Sequence, residues 1–173
     1  MALVVFLRGV NVGGHRTFRP AALAAQLKHL DVVNIGAAGT FVVRKRIAKS
    51  KARAEFAKRL PFETQIAICD AKDIVSLIDD APYGARPAAP GIVRFISVLC
   101  RPARTTSRAP IRLPSSGQWL VRVISHDGQF VIGEYRRHMQ TIRYLGSIDK
   151  MVGASVTTRN WSTINQIRKI IAG

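Results

Sequence analysis

The sequence predicts an α+β fold from three observations. Short apolar runs of strand length alternate with segments whose apolar residues recur at helical spacing. The 173 residues are 47% hydrophobic and 21% charged, which is ordinary for a globular protein with a buried core. No apolar run approaches the roughly twenty residues of a membrane-spanning helix, so we expect neither a membrane span nor a membrane partner.

Residues 1–70 predict the element order β-α-β-β-α-β. Pro20 favours the start of the first helix, in which leucines recur at i, i+4 and i+7. The tight turn at 36–39 predicts a hairpin between the strands beside it. The strands are predicted at 2–7, 32–35, 40–43 and 64–69, and the helices at 20–30 and 49–60. This order is that of the split ferredoxin-like unit, and a helix over 71–80 is predicted to follow it.

The Pro- and Gly-rich segment 83–91 predicts a linker between a first lobe at 1–82 and a second lobe at 92–173. Prolines among arginines at 101–117 exclude a helix there and predict a basic loop. The other elements predicted in the second lobe are a strand at 92–99, a hairpin of 118–125 with 129–134, and helices near 145–152 and 161–172. The predicted architecture is two ferredoxin-like lobes, of which the second is irregular.

The charge of the sequence is its unusual property. Lys and Arg number 27 against 10 Asp and Glu, and the formal net charge is +17. Such a surface attracts polyanions, so one explanation of the charge is a polyanion partner. The alternative is that the excess of basic residues only reflects an Arg-rich composition. Cations are densest at 44–59. This run predicts either contact with a nucleic-acid backbone or a solvated basic face. The residues predicted to contact the backbone of RNA or DNA are Arg46, Lys49, Arg53, Lys58, Arg104 and Arg108.

Base stacking is disfavoured by the same sequence. RNA-recognition domains stack bases on aromatic residues of their first and third strands, and Phe6 and Phe41 lie on those strands here. However, the signature of the third strand is mostly absent, which argues against that mode of binding.

The segment 7–14, LRGVNVGG, leads from the first strand through a glycine-rich loop toward the first helix. Backbone N–H groups of such a loop can bind an anion. Two of its glycines have the spacing of a P-loop, but His15 and Arg16 stand where that motif requires Lys and then Ser or Thr, which excludes it. Two alternatives are left: an anion site, or a tight turn in which Arg8 and Asn11 bond to nearby backbone.

A second polar motif, TTRNW at 157–161, precedes the last predicted helix. We expect Thr158 or Asn160 to cap that helix. Arg159 would then lie beside a positive helix end, where an anion is favoured and a second cation is not, so we expect it to be paired or to await a ligand. Trp161 either fills the core or presents its ring at a cleft.

The segments LRGVNVGG at 7–14, IGAAGTFVV at 35–43 and TTRNWST at 157–163 closely resemble the domain of unknown function 1697 family, over nearly the whole chain. The resemblance implies two ferredoxin-like lobes and no particular reaction. By motif match, it also implies one shared ligand site. The candidate residues for this site are Arg8, Asn11, Gly13, Gly14, Arg159, Asn160 and Trp161. The chain departs from the family at Ala38-Gly39-Thr40, where a polar Ser-Gly-Asn turn is usual, and at 101–117, where a helix is common.

No motif in the sequence indicates a reaction or a cofactor. The histidines lack metal-ligand spacing and no C-x-x-C or G-x-S-x-G motif occurs, so we expect no metal and leave enzymatic activity open. Cys69 and Cys100 lie in apolar, strand-like runs, which is typical of buried free thiols in a reducing compartment. Because the N-terminal apolar run lacks the features of a signal peptide, we expect a cytoplasmic protein.

Two classes of function follow. The first is a non-enzymatic protein that binds a polyanion, RNA or DNA, through the 44–59 region and the arginine-rich loop. The second is a small-anion-binding or enzymatic site at the lobe interface, in which the 7–14 loop clamps the anion and Arg159 and Asn160 contribute from the start of the last helix. A purely structural role for these residues is the third alternative.

Overall fold

The computed structural model describes residues 1–104 and 109–173. It has a mixed α+β architecture with two antiparallel sheets, which confirms the predicted fold class. The chain forms two compact units, one of Met1–Asp80 with Thr163–Gly173 and one of Ala81–Ser162. Among the described residues, no helix is long and apolar enough to cross a bilayer.

The first unit contains the element order predicted for its first seventy residues. Its strands are β1 (Leu3–Leu7), β2 (Val32–Ile35), β3 (Thr40–Val43) and β4 (Ile66–Asp70), and its helices are α1 (Pro20–Gln26), α2 (Lys49–Arg59) and α3 (Ala71–Asp79), with a 3₁₀ turn at Lys28–Leu30. The sheet order is β2-β3-β1-β4, and every neighbouring pair is antiparallel. β1 therefore lies inside the sheet, which explains its continuous run of buried apolar side chains.

The core of the first unit lies between one face of this sheet and the helices α1 and α2. Leu23 and Leu27 form the predicted apolar stripe, and both are buried. From α2, Phe56 packs edge-to-face on Phe41 of β3, with ring centroids 5.2 Å apart. The periodicity that predicted these helices therefore also predicted the faces that they bury.

Phe6 and Phe41 are both fully buried in this unit. A ring that stacks on a base has to reach solvent, so the structure agrees with the sequence argument against base stacking on these strands.

The second unit contains a five-stranded sheet in the order β6-β7-β8-β5-β9. The strands are β5 (Ile92–Leu99), β6 (Ile111–Leu113), β7 (Val121–Asp127), β8 (Phe130–Arg136) and β9 (Val156–Asn160), and two short helices, α4 (Thr141–Leu145) and α5 (Ile148–Val152), connect β8 to β9. One face of the sheet, including Phe95 and Val121, packs with Ile148 and Val152 in the core. Arginines occupy much of the opposite face, because their positions alternate with these core positions along the strands.

The prediction of an unbroken loop over 101–117 was wrong at one place. Ile111–Leu113 forms the short edge strand β6, which pairs with β7. Pro110 and Pro114 flank this strand instead of lying within it, so they remove no hydrogen bond from its ladder. The alternation Ile-Arg-Leu is a strand pattern, but three residues are too few to predict from sequence without the partner strand.

The TTRNW segment also differs from its prediction, because residues 157–160 belong to a strand, whereas Trp161 begins the last helix as predicted. β9 pairs with β5, and Arg159 lies opposite Ile96 in the register. The helix α6 (Trp161–Ala172) begins directly after β9. Thr158 points its hydroxyl at Ser97 Oγ, 2.6 Å away, and does not cap the helix.

The C-terminal helix is divided between the two units. The sequence predicts that all of 92–173 forms the second lobe, whereas Thr163–Gly173 groups with the first unit. The apolar stripe of the helix explains why it needs a packing surface, since Ile164 and Ile167 are fully buried. Arg168 forms an ion pair of 2.7 Å with Asp79 at the end of α3.

Candidate anion-binding site

The loop after β1 is held against the turn between β2 and β3. Leu7 N donates to Gly39 O at 2.8 Å. Gly39 has a φ of +77°, and a Cβ atom there would lie 2.8 Å from both Leu7 Cβ and Val10 Cγ2. Only glycine permits both this backbone conformation and this close approach. The glycine of the IGAAGTFVV segment therefore fixes where the loop leaves the sheet.

Asn11 locks the course of the loop. Its Nδ2 donates to Ala37 O at 2.8 Å, and its Oδ1 accepts from Phe18 N at 2.9 Å. Its own φ is +54°, a conformation that asparagine tolerates better than most residues. Since both polar atoms of the amide bond to backbone, the geometry matches the tight-turn alternative for Asn11.

The chain closes a small turn between Asn11 and Arg16. Asn11 N donates to Arg16 O at 3.2 Å. Gly13 and Gly14, at φ +58° and +76°, lie exposed at its tip. Arg16 itself has a φ of +49°, and its Nη1 lies 3.4 Å from Thr64 Oγ1. The turn therefore presents the guanidinium of Arg16 to the segment that precedes β4.

An open cavity of about 330 Å³ results, lined by Arg8, Arg16, Glu63, Thr64 and Gln65. Arg8 N donates to Gln65 O at 3.0 Å, and the Thr64 hydroxyl donates to Arg8 O at 2.5 Å. Two arginines and one glutamate thus line one opening. Guanidinium groups bind carboxylates and phosphates through paired N–H donors, so the cavity has the chemistry of an anion site.

A second cavity, of about 530 Å³, shares Glu63 and Thr64 with the first. The rest of its lining is mostly apolar and comes from Ala57, Leu60, Pro61 and Phe62. A ligand with an anionic group and an apolar remainder could occupy both cavities at once.

Sequence reasoning identified Arg8 but missed Arg16, Thr64 and Gln65. From the sequence alone, Arg16 indicates only that the loop is not a P-loop. Thr64 and Gln65 lie far along the chain, and they reach Arg8 because β4 pairs with β1 through Leu7 and Ile66. A strand-pairing prediction was the one sequence signal that could have indicated them.

The second motif builds a buried structure instead of an open site. Arg159 is 7% exposed, and its Nη1 donates to Thr157 Oγ1 at 2.8 Å and to Thr158 O at 2.9 Å. Burial lowers the pKa of Arg159 to about 10. Arg159 lies within β9, two residues before α6 begins, and its guanidinium bonds to its own strand, which fits the alternative in which it is paired.

The neighbours of Arg159 are also engaged. Asn160 Oδ1 accepts from the Ser162 hydroxyl at 2.8 Å. The ring of Trp161 packs edge-to-face on Tyr83, with centroids 5.1 Å apart. Arg8 belongs to the first unit and these residues to the second, so their sharing of one ligand site stays a prediction.

Several cations of the basic run at 44–59 have partners within the first unit. Its ion pairs are Arg44–Asp31 at 3.0 Å, Lys49–Asp70 at 2.8 Å and Arg59–Glu55 at 2.7 Å. Two further cations bond to backbone: Lys45 Nζ donates to His29 O, and the Arg53 guanidinium donates to Ile66 O. In residues 1–104 and 109–173, the cations of this run without a partner are Arg46, Lys51 and Lys58, and all three are exposed.

Of the predicted nucleic-acid contacts, Arg46 and Lys58 are therefore available, whereas Lys49 and Arg53 already have partners. Arg104 is exposed, and its backbone N–H donates to Val152 O. Arg108 lies outside the described residues. The sequence overestimated this surface because it shows cations but not the acids that the fold brings to them.

The described residues contain no group of His, Cys, Asp and Glu that could hold a metal ion. Cys69 and Cys100 are free thiols, Cys69 fully buried and Cys100 partly. Burial raises the pKa of the Cys69 thiol well above its usual range, which makes it unreactive at neutral pH.

The comparisons with known proteins agree with the fold. The model of the family described as "Protein of unknown function (DUF1697)" matches residues 1–118, and the chain belongs to this family. No curated protein matches the chain. Among solved structures, the chain is similar to the conserved bacterial protein SP0830 from Streptococcus pneumoniae, at 16% identity over 98% of each chain, with a TM-score of 0.56. At that identity the likeness shows the fold alone, and these comparisons do not support nucleic-acid binding.

Proposed function

We propose that this member of the DUF1697 family binds a small anion in the cavity lined by Arg8, Arg16, Thr64 and Gln65. The observation that carries the proposal is that two arginines and Thr64 line one open cavity, in which the Thr64 hydroxyl contacts both arginines. Both arginines come from the loop that Asn11 and Gly39 hold in place, so little ordering is needed when an anion binds. No reaction is proposed.

The neighbouring apolar cavity narrows the class of ligand. Leu60, Pro61 and Phe62 line space that continues from Thr64, so an anion with an apolar substituent gains apolar contacts that a bare ion lacks. Glu63 repels a second negative charge nearby and can accept a hydrogen bond from a donor on the ligand. We therefore expect aromatic or aliphatic monophosphates and carboxylates to bind more tightly than phosphate or acetate.

The test is a calorimetric titration of phenyl phosphate against inorganic phosphate. Arg8→Gln and Arg16→Gln should each weaken phenyl phosphate binding about tenfold or more, since each removes a charged hydrogen bond. Leu60→Ser should weaken phenyl phosphate but leave inorganic phosphate unchanged. Arg46→Gln is the matched control, because it removes an exposed cation of the same unit far from the cavity in sequence. If the Arg16 and Arg46 variants behave alike, the cavity is not the binding site.

Polyanion binding is the second candidate, and a narrower surface supports it. Arg46, Lys51 and Lys58 are exposed cations without a partner within the described part of the chain. If they contact three phosphates, the plot of log affinity against log salt should have a slope of roughly −2 to −3. Fluorescence anisotropy with labelled RNA and DNA across a salt series measures this slope.

Charge reversal identifies the surface. Lys58→Glu should weaken nucleic-acid binding more than Lys49→Glu, because Lys49 is already paired with Asp70. Equal effects of the two variants, or binding that does not depend on salt, would contradict a phosphate-backbone contact here.

We also infer that both units are ferredoxin-like lobes and that the protein is cytoplasmic. In the first unit the strands lie in the order β4-β1-β3-β2, and in the second unit the order is β9-β5-β8-β7. Each order places the fourth strand of its set beside the first, then the third and then the second. The second unit adds β6 at one edge. The free thiols support a reducing compartment. A crystal structure and cell fractionation, respectively, test these two inferences.

A further inference from the structure

We propose that the second unit carries a separate binding site for a phosphate group, formed by Arg112, Arg122 and Arg136 around Trp119. This site uses none of the residues of the Arg8 cavity, and the inference does not depend on it. One row of charged residues crosses four strands of the sheet in this unit.

The strand register places this row on a single face. Arg112 of β6 lies opposite Arg122 of β7, Arg122 lies opposite Glu134 of β8, and Glu134 lies opposite Arg94 of β5. Directly opposite residues in antiparallel strands project from the same face, with Cβ atoms roughly 5 Å apart. Three cations and one anion therefore lie side by side.

Glu134 is fully used by two of its neighbours. It is 7% exposed, and its two carboxylate oxygens pair with Arg94, at 3.4 Å, and with Arg122. Arg94 is further held by the carbonyl of Arg86 at 2.7 Å. No acid is left in the row to neutralise Arg112.

Arg112 is therefore an unbalanced cation. It is exposed, and no hydrogen bond or ion pair joins its guanidinium to any other residue of 1–104 and 109–173. Like charges directly opposite on a sheet destabilise the pair. Across from it, Arg122 keeps a buried Nε atom that has no hydrogen-bond partner in the described part of the chain. An anion between the two guanidiniums would remove the repulsion and supply an acceptor.

Trp119 positions the third arginine beside them. The Cζ atoms of Arg136 and Arg122 lie 4.3 and 4.8 Å from the centroid of the indole ring. Arg136 Nε also donates to Trp119 O at 3.0 Å. Stacking on one indole holds these guanidiniums in place before a ligand arrives, which reduces the entropy lost on binding.

The number and type of donors favour phosphate. Planar guanidiniums bind phosphate oxygens in pairs, and a phosphate monoester carries more charge than one carboxylate. Because arginines already lie over the indole ring, Trp119 is poorly placed to stack on a base. The site therefore recognises the phosphate and not the base, and the phosphate could belong to a small molecule or to a nucleic-acid backbone.

The test uses Trp119 as its own reporter. Trp161→Phe leaves Trp119 as the single tryptophan, because the chain has two. Pyrophosphate and a short single-stranded oligonucleotide are each titrated into this variant, and Trp119 fluorescence and the melting temperature are recorded. Saturation by pyrophosphate indicates a small-molecule source, and saturation by the oligonucleotide alone indicates a nucleic-acid backbone.

Arg112→Gln gives an unusual pair of expected results. Without ligand it should raise the melting temperature by about 1–3 °C, because the repulsion with Arg122 is gone. With ligand it should weaken binding about tenfold or more. Arg112→Lys restores the charge, and should restore the lower melting temperature and part of the affinity. Arg143→Gln, an exposed arginine of α4, is the control with the same change of charge.

Two results would overturn the proposal: unchanged affinity in Arg112→Gln, or a lower melting temperature of that variant without ligand. Arg8→Gln separates the two sites, because it should leave the response of Trp119 intact. A pyrophosphate response that Arg8→Gln abolishes and Arg112→Gln does not would place binding in the Arg8 cavity and refute this site.

Discussion

Gly39 is the residue on which the position of the Arg8 loop depends, and Gly39→Ala tests that dependence. The added Cβ atom would lie 2.8 Å from Leu7 Cβ, 2.8 Å from Val10 Cγ2 and 3.2 Å from Leu7 Cγ. The backbone φ of +77° adds strain of its own for an L side chain. Both neighbours are buried, so neither can move away without disturbing the core.

The magnitude follows from these two costs. A left-handed conformation costs an alanine roughly 1–2 kcal/mol, and overpacking a core costs about 1–3 kcal/mol. Gly39→Ala should therefore lower the free energy of unfolding by roughly 2–5 kcal/mol. It should also weaken phenyl phosphate binding, because Leu7 and Val10 flank Arg8 in the chain.

Gly36→Ala is the matched control for this prediction. Gly36 lies in the same turn with a φ of +63°, but a Cβ atom there has no neighbour within 4 Å. It should cost only the conformational strain, roughly 1–2 kcal/mol. Urea unfolding followed by circular dichroism measures both variants. Equal losses of stability would refute the claim that close packing at Gly39 determines the position of the loop.

Three further predictions concern the two motifs and the buried thiol. Asn11→Ala should cost roughly 1–3 kcal/mol in urea unfolding and weaken phenyl phosphate binding, because it leaves Ala37 O and Phe18 N without the amide that joins them; unchanged binding would mean that the loop holds its shape without Asn11. Arg159→Ala should cost roughly 2–4 kcal/mol, since it leaves a cavity and unbonded acceptors in β9, yet leave both anion titrations unchanged; a lost titration with intact stability would assign Arg159 to a ligand after all. Because burial raises the pKa of Cys69, the unfolded chain releases this proton above about pH 8.5 while the native protein retains it, so stability should fall by roughly 1.4 kcal/mol per pH unit above that value. Urea unfolding between pH 7 and 10 checks this, and Cys69→Val should show a flatter profile.

The first unit shows what local patterns can predict. The leucines of α1 repeat at helical spacing, and the buried residues of β1 form one continuous apolar run, so the type and order of these elements follow from the sequence. β9 was missed because its residues, Thr157 to Asn160, are polar enough to be taken for a cap. They form a strand because β5 offers them an unpaired edge, which is a property of another part of the chain.

The candidate sites likewise combine features that local sequence patterns indicate with contacts that only the fold shows. The sequence indicated that Arg8 and Asn11 belong to a special loop, and glycine at that loop indicated positive φ values. It did not show that Arg16 meets Thr64, or that Lys49 meets Asp70, because each pair joins residues that are distant along the chain.

The sequence alone determined the α+β class, the family, the free thiols and the excess of positive charge. The tertiary structure decided which cations are neutralised and which are left over, as with Lys49 beside Asp70 and Arg112 beside Arg122. The physical reason is that secondary structure depends on the period of apolar residues within a segment, whereas the state of a charge depends on which side chains strand pairing and packing bring within a few ångströms of it.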